Sequence, residues 1–223
     1  MQGFLLNMNT KIDYNQEPDT GCNYCQRLVE FRKANQENNP DWHNQPVRSF
    51  GSLNAQLLVV GLAPGLRGAN RTGRPFTGDY AGDLLYPTMI KFGFAKGEYL
   101  AKYNDPLKLI NARITNAVRC VPPQNKPIGE EIDSCGKFLK IEIKSMQKLS
   151  VILCLGSISH TATLRALGLK LSKYKFQHGE IFRLNSDLSL IDSYHCSRLN
   201  TNTKRLTPSM FEAIFKNIKK RIH

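Results

Sequence analysis

Two unbroken apolar runs, Leu57–Val60 and Val151–Leu155, stand between turn residues in an otherwise polar chain. Short runs with no polar face are the pattern of strands covered on both sides. Ala112–Val118 reads as a further strand, and Glu180–Leu184 with Leu188–Tyr194 as a strand pair around the turn Asn185-Ser186-Asp187. Helical spacing falls between these runs. It begins at Leu28, Val29 and Phe31, and recurs at Leu84, Leu85, Met89 and Phe92 up to Gly93. Ile128–Leu149 reads as a long helix with acids first and lysines later, in the sense that suits a helix dipole. Gly156-Ser157 turns the chain into a helix through Leu167, and Thr207 with Pro208 opens a closing helix to Arg221. Asn35–Pro46 and the proline-rich Cys120–Pro127 read as loops. Strands alternating with helices predict a three-layer α/β/α sandwich around a central, mainly parallel sheet. Residues 1–20 are expected to form a loose arm and 21–223 a single domain, without internal repeats.

The longest break in periodicity is Gly61–Asp83, with six glycines, two prolines and three arginines directly after the clearest strand. A loop of this length inside a compact domain is usually functional. Open α/β sheets bind ligands at the carboxyl ends of their strands. The stretch has neither the G-x4-G-K-[ST] phosphate loop nor the G-x-G-x-x-G dinucleotide fingerprint, so no nucleotide cofactor is expected. It offers backbone N–H groups around Gly61, Leu62, Ala63 and Gly65, free to approach an anion or a developing oxyanion. Phe76, held by Arg74-Pro75, presents an aromatic face for stacking. Asp79 is the first acid of the loop, and its residue type equally suits a helix N-cap.

Charge narrows the partner. Lys plus Arg is 31 against 18 for Asp plus Glu, a net charge of +13 spread along the chain. That balance favours a polyanion, bound through phosphate contacts and counterion release. No stretch approaches the roughly 20 apolar residues of a membrane span, and the N-terminus lacks the pattern of a secretory signal. A cytoplasmic protein is expected, with no membrane partner. Six cysteines in a reducing compartment are read as metal ligands, buried thiols or redox groups.

Cys22 and Cys25 form a C-x2-C pair, and the proline-rich loop lets Cys120 and Cys135 close over the same point. Four thiolates suit either tetrahedral zinc or an iron–sulfur cluster, and spacing leaves that choice open. Cys154, inside a strand, and Cys196 fall outside the set. His195 ends the last apolar strand and, like Gly61, lies at a strand's carboxyl end, so both are expected to face one crevice. Asn116 inside a strand requires partners, because burying an amide unpaired costs about 2 kcal/mol or more.

Taken together, these segments resemble the uracil-DNA glycosylase superfamily, most closely its family 5 (type B) branch. The matching residues are Gly61-Leu-Ala-Pro-Gly65, Asn70–Asp79, Gly82–Pro87, Thr115–Pro123, His195–Thr201 and Arg205–Thr207, with the four cysteines. The resemblance implies a four-stranded central sheet of the glycosylase type. It also implies a structural [4Fe-4S] cluster on Cys22, Cys25, Cys120 and Cys135. It implies hydrolysis of an N-glycosidic bond in DNA containing uracil or other deaminated bases, after the nucleotide is flipped into a pocket. By position, Phe76 would stack on the base, Asn116 and His195 would hydrogen-bond it, and Arg198 would belong to a loop that enters the DNA. Where other branches carry a polar residue after the opening glycine, this chain has Leu62, which cannot orient water. The resemblance passes that role to Asp79. A monomer associated with the nucleoid is expected. The alternative is a catalytically weak protein that binds damaged or single-stranded DNA on the same fold.

Overall fold

The computed structural model describes residues 17–222; most of the expected arm, residues 1–16, lies outside the described residues. In chain order the strands are β1 (Phe50–Gly51), β2 (Leu57–Gly61), β3 (Ala95–Lys96), β4 (Lys108–Leu109), β5 (Ala112–Asn116), β6 (Val151–Leu155), β7 (Ile181–Arg183) and β8 (Ser189–Ser193). The α-helices are α1 (Gln26–Asn38), α2 (Ala69–Thr72), α3 (Tyr80–Lys91), α4 (Gly129–Ser145), α5 (Ser157–Ala166), α6 (Arg198–Asn202) and α7 (Pro208–Lys219).

The main sheet runs β1-β5-β2-β6-β8-β7. Its four inner strands are parallel, but the sheet has six strands rather than the expected four: β7, the expected partner of β8, and β1, which carries no apolar run, add short antiparallel edges. β3 and β4 pair as a separate two-stranded sheet. Period-two alternation sorts the inner strands between two cores. Leu57, Val59, Val151, Leu153 and Ile191 pack under α3 and α7, through Leu85, Met89, Phe211 and Phe215. Leu58, Val60, Ile152, Cys154 and Leu190 face Leu139, Ile143 and Leu164 of α4 and α5. Every residue of Leu57–Val60 is fully buried, and burial of each such side chain is worth about 1.5–3 kcal/mol. The result is helices, sheet, helices: the three-layer sandwich. No helix among the described residues is long and apolar enough to cross a membrane.

Several boundaries differ from the sequence reading, each for a local reason. α1 continues to Asn38, through residues read as loop, because Asn35 and Asn38 donate their amides to the carbonyls of Phe31 and Ala34. The short α2 and α6 interrupt stretches that carry no apolar period. Glu17, inside the stretch expected to be loose, receives Arg113 and Arg119 at 2.9 and 2.7 Å, and Glu142 receives the same two guanidinium groups from the other side. Parallel register fixes the rest. Gly61 stands opposite Asn116 and Leu155 opposite Ser193, so the chain leaves all four inner strands at one edge of the sheet.

Candidate active site

At that edge lies a cavity of about 520 Å³, walled by the loop after β2, the start of α3, the end of β5 and the segment after β8. Leu62, Ala63 and Gly65 line it, as do Phe76, Asp79, Asn116, His195 and Arg198. Gly61 stands just behind. A Cβ there would come within 2.3 Å of the Asn116 side-chain oxygen and 2.6 Å of the Phe76 ring, so only glycine lets β2 end against both.

The loop is held by Arg74, as the sequence suggested, and by Asp105, Tyr86 and Tyr99, which the sequence left without a role. Arg74 is buried and forms a bidentate ion pair with Asp105, 2.7 Å at each contact, while its Nε donates to Thr77. Tyr86 donates its hydroxyl to the Pro75 carbonyl, and Tyr99 donates to that of Phe76 while accepting from the Gly78 N–H. These bonds hold Phe76 at φ +53°, in the left-handed region that a bulky residue rarely adopts. Such strain persists where the surroundings over-determine it. Phe76 is buried apart from the cavity wall, its ring stacked on His195 with centroids 6.0 Å apart and planes 27° from parallel.

Asp79 occupies the N-cap position of α3 in extended geometry, yet its side chain makes no capping hydrogen bond. One carboxylate oxygen, Oδ1, is buried without a partner. The other is 3.1 Å from where a Cβ on Gly65 would stand and 2.3 Å from one on Gly68, so both glycines make room for the carboxylate. Burial raises the Asp79 pKa above the usual carboxylate range; the nearby amides of Gly82 and Ala81 pull it back only in part. Those amides face the carboxylate without closing capping geometry.

His195 keeps some surface in the cavity, but the protein packed around its ring pushes its pKa down to about 4. It is therefore a neutral imidazole at physiological pH. Its backbone carbonyl accepts the Asn200 amide at 2.8 Å. The preceding Tyr194 is fixed by His178, which accepts its N–H at 3.1 Å and stacks on its ring at 4.8 Å, with Arg205 over that ring at 4.5 Å. Arg198 opens α6 with its guanidinium 5.3 Å from the centroid of the Tyr80 ring, so both stand at the cavity wall. Leu199, beside it, is 72% exposed, the most exposed large apolar side chain among the described residues. Sequence reasoning assigned no individual role to Tyr80 and Leu199, which stand in the first turns of α3 and α6, or to Asn125, in the turn after Pro122. For Asn125 the signal was present, since asparagine tolerates the left-handed conformation, here φ +57°.

The four cysteines come together at a second, smaller cavity, lined also by Arg32, Arg119, Leu28 and Phe138. Cys22 and Cys25 lie in the turn before α1, Cys120 four residues past β5 and Cys135 in α4. The Arg119 N–H donates to the Cys135 sulfur at 3.3 Å. Burial pushes the Cys120 thiol up to about 12 and Cys135 to about 11, with each reinforced by neighbouring thiols of the set. Among the described residues no three His, Cys, Asp or Glu side chains converge closely enough to hold one metal ion. Cys154 and Cys196 are fully buried elsewhere, as expected for core thiols.

A family model described as the uracil DNA glycosylase superfamily matches residues 48–219. The chain is 41% identical over 208 residues to a type-5 uracil-DNA glycosylase of Thermus thermophilus, covering 90% of this chain and 94% of that protein. It is 36% identical over 190 residues to a type-5 uracil-DNA glycosylase of Pyrobaculum aerophilum, covering 83% and 82%. Similarity to a type-4 uracil-DNA glycosylase of Archaeoglobus fulgidus is lower, 29% over 153 residues, covering 67% and 69%.

Proposed function

The chain belongs to the uracil-DNA glycosylase superfamily, in its type-5 branch, and from that premise we propose that it excises uracil from DNA by hydrolysing the N-glycosidic bond. The observation that carries the mechanism is the Asp79 carboxylate, buried at the cavity wall with one oxygen unpartnered. Leu62 has no group to orient water, and Asp79 is the carboxylate among the cavity-lining residues. Asp79 therefore holds the attacking water and takes its proton as the C–O bond to the sugar forms. Its negative charge also stabilises the cationic sugar. The bonding pair of the broken C–N bond leaves with the base. His195, neutral and able to donate one N–H, stabilises the negative charge on the leaving base, and Asn116 reads its polar edge. Phe76 covers the ring.

The same reading takes in deaminated purines, because Leu62 and Ala63 give the cavity an apolar wall that does not discriminate ring size by hydrogen bonding. Leu199, exposed beside Arg198, has the character of an apolar wedge that fills the stack when a base is extruded. The +13 charge supplies phosphate attraction. One chain supplies every wall of the cavity, which supports action as a monomer, carried by the single domain from residue 21 onward. Six cysteines outside any disulfide suit a reducing cytoplasm, with the nucleoid as working site.

We further propose that Cys22, Cys25, Cys120 and Cys135 hold a [4Fe-4S] cluster. Two observations support this. The four thiols, drawn from three chain segments, line one small cavity, as shared ligation of a single centre requires. Moreover, the Nε–H groups of Arg32 and Arg119, both on that cavity's wall, are buried without acceptors. The cluster supplies cross-linking of three chain segments and no step of the hydrolysis.

The deciding experiment incubates the purified protein with oligonucleotides carrying uracil, hypoxanthine or xanthine, then cleaves abasic sites with alkali. Strand scission on uracil is expected. Absence of product on all three would overturn the activity and favour a binding protein on the same fold.

A further inference from the structure

Arg32 is buried in the middle of α1. Its Nη1 and Nη2 donate to the carbonyls of Thr20 and Cys22, at 3.3 and 2.6 Å. Its Nε has no acceptor. Among the described residues no carboxylate pairs with it, whereas the other arginine on the cavity wall, Arg119, is clasped by Glu17 and Glu142. A buried guanidinium bound only by neutral carbonyls keeps an uncompensated charge, which a folded protein rarely tolerates. The group it faces is the set of cysteines. Arg32 lines the same cavity as Cys22, Cys25, Cys120 and Cys135. With neutral thiols this cation has no partner; with four thiolates around an iron–sulfur centre, which together form a net anion, it has one.

We propose that Arg32 is the counter-cation of the four-cysteine centre, using its charge and its free Nε–H to hold the anionic centre and raise its reduction potential. This rests on the reading of the four cysteines as cluster ligands. The charge and hydrogen bonds around a cluster set its potential, and groups just behind metal ligands govern how firmly the metal is kept. Arg32 supports the centre rather than ligating it, and it stands outside the base cavity.

The test uses the full-length protein purified without oxygen: wild type, Arg32→Gln and Arg32→Lys. Iron and acid-labile sulfide are measured first. Wild-type protein free of iron would overturn the cluster reading itself, and the role of Arg32 with it. If the wild type holds iron, Arg32→Gln is expected to lose it to a chelator about 10-fold faster or more. Its reduction potential is expected to move to more negative values, because a positive charge that favours the added electron is gone. Arg32→Lys, which keeps the charge without the guanidinium fork, is expected to restore most of both properties. Wild-type retention and potential in Arg32→Gln would overturn the role of Arg32 alone, leaving the cluster in place. Should Arg32→Gln not fold, Arg32→Lys decides: folded protein that retains iron supports the charge role, and a lysine variant that unfolds or leaks iron overturns it.

Discussion

Burial beside Gly65 and Gly68 makes the ionised Asp79 carboxylate less favourable in the folded protein than in the unfolded chain. The folded-state pKa stands above the unfolded value of about 3.9, so the associated stability is full below that pH and is lost as pH rises through the folded-state pKa. At neutral pH the protein thus holds this carboxylate ionised at the expense of stability. Asp79→Asn removes the charge and keeps the shape. It is expected to raise the melting temperature at pH 7 while lowering single-turnover uracil release by about 10²-fold or more. In the wild type the acid limb of the single-turnover rate is expected above the ordinary aspartate range, and the residual activity of Asp79→Asn is expected to lack that limb. A wild-type rate in Asp79→Asn would remove Asp79 from the mechanism. His195 sets no limb near neutrality, since it remains neutral down to about pH 4. Sequence singled out Asp79 as the first acid of the loop and left open whether it merely caps α3. Its backbone is that of a cap, but its side chain is not used as one. That distinction depends on Gly65 and Gly68 folding back over the carboxylate, a contact that no local pattern encodes.

Gly68, the residue before α2, shows how a short element serves the site. A Cβ at this position would stand 2.3 Å from Oδ2 of Asp79 and 2.8 Å from its Cβ, contacts far inside van der Waals distance. Its φ of −96° is not in the left-handed region, so space rather than backbone strain demands glycine. Gly68→Ala is therefore expected to displace the Asp79 carboxylate by a fraction of an ångström to an ångström, slowing uracil release by about 10²-fold. The melting temperature is expected to change little, because the displaced group is a cavity-lining side chain and not a core residue. Unaltered kinetics in Gly68→Ala would mean that the carboxylate position is not critical. At this scale, legibility followed burial. β2 and β6 announced themselves as apolar runs, and the Thr207 cap of α7 forms as expected, with its hydroxyl accepting the Met210 N–H. α2 and α6 did not, being one turn or little more with a single apolar residue each, closed by Gly73 or opened by Ser197. Asp105, read only as part of a polar connection, anchors Arg74 and with it the loop of Phe76. Ion pairs across 31 residues leave no periodicity to read.

The molecule as a whole divides into a large core on both faces of the sheet and a small corner built around four cysteines. Two apolar clusters on either side of the sheet contain α3, α4, α5 and α7. α1 belongs to neither. Of its residues only Leu28, Arg32 and Asn35 are buried, and Leu28 packs in a third cluster whose other buried members are Val118, Cys120, Cys135 and Phe138. The Arg27–Glu131 pair, with Arg27 half exposed, adds little on its own. If an iron–sulfur centre cross-links this corner, stripping it with an oxidant and chelator should open the corner before the core. Hydrogen exchange read by mass spectrometry is expected to accelerate in residues 17–38 and 118–135, while β2, β6 and α7 keep their protection. Unchanged protection everywhere would mean that ion pairs and Leu28 alone dock α1, and loss of protection across the sheet at once would merge the two units. Local opening would still reach the site. Asn116 lies four residues before Cys120, and the intervening Ala117 and Val118 donate their N–H groups to Gly61 and Leu62 at 3.0 and 2.9 Å. Loosening Cys120 therefore frees the end of β5 from the loop that walls the cavity. Uracil release is expected to slow in the stripped protein although none of the reacting groups has been removed.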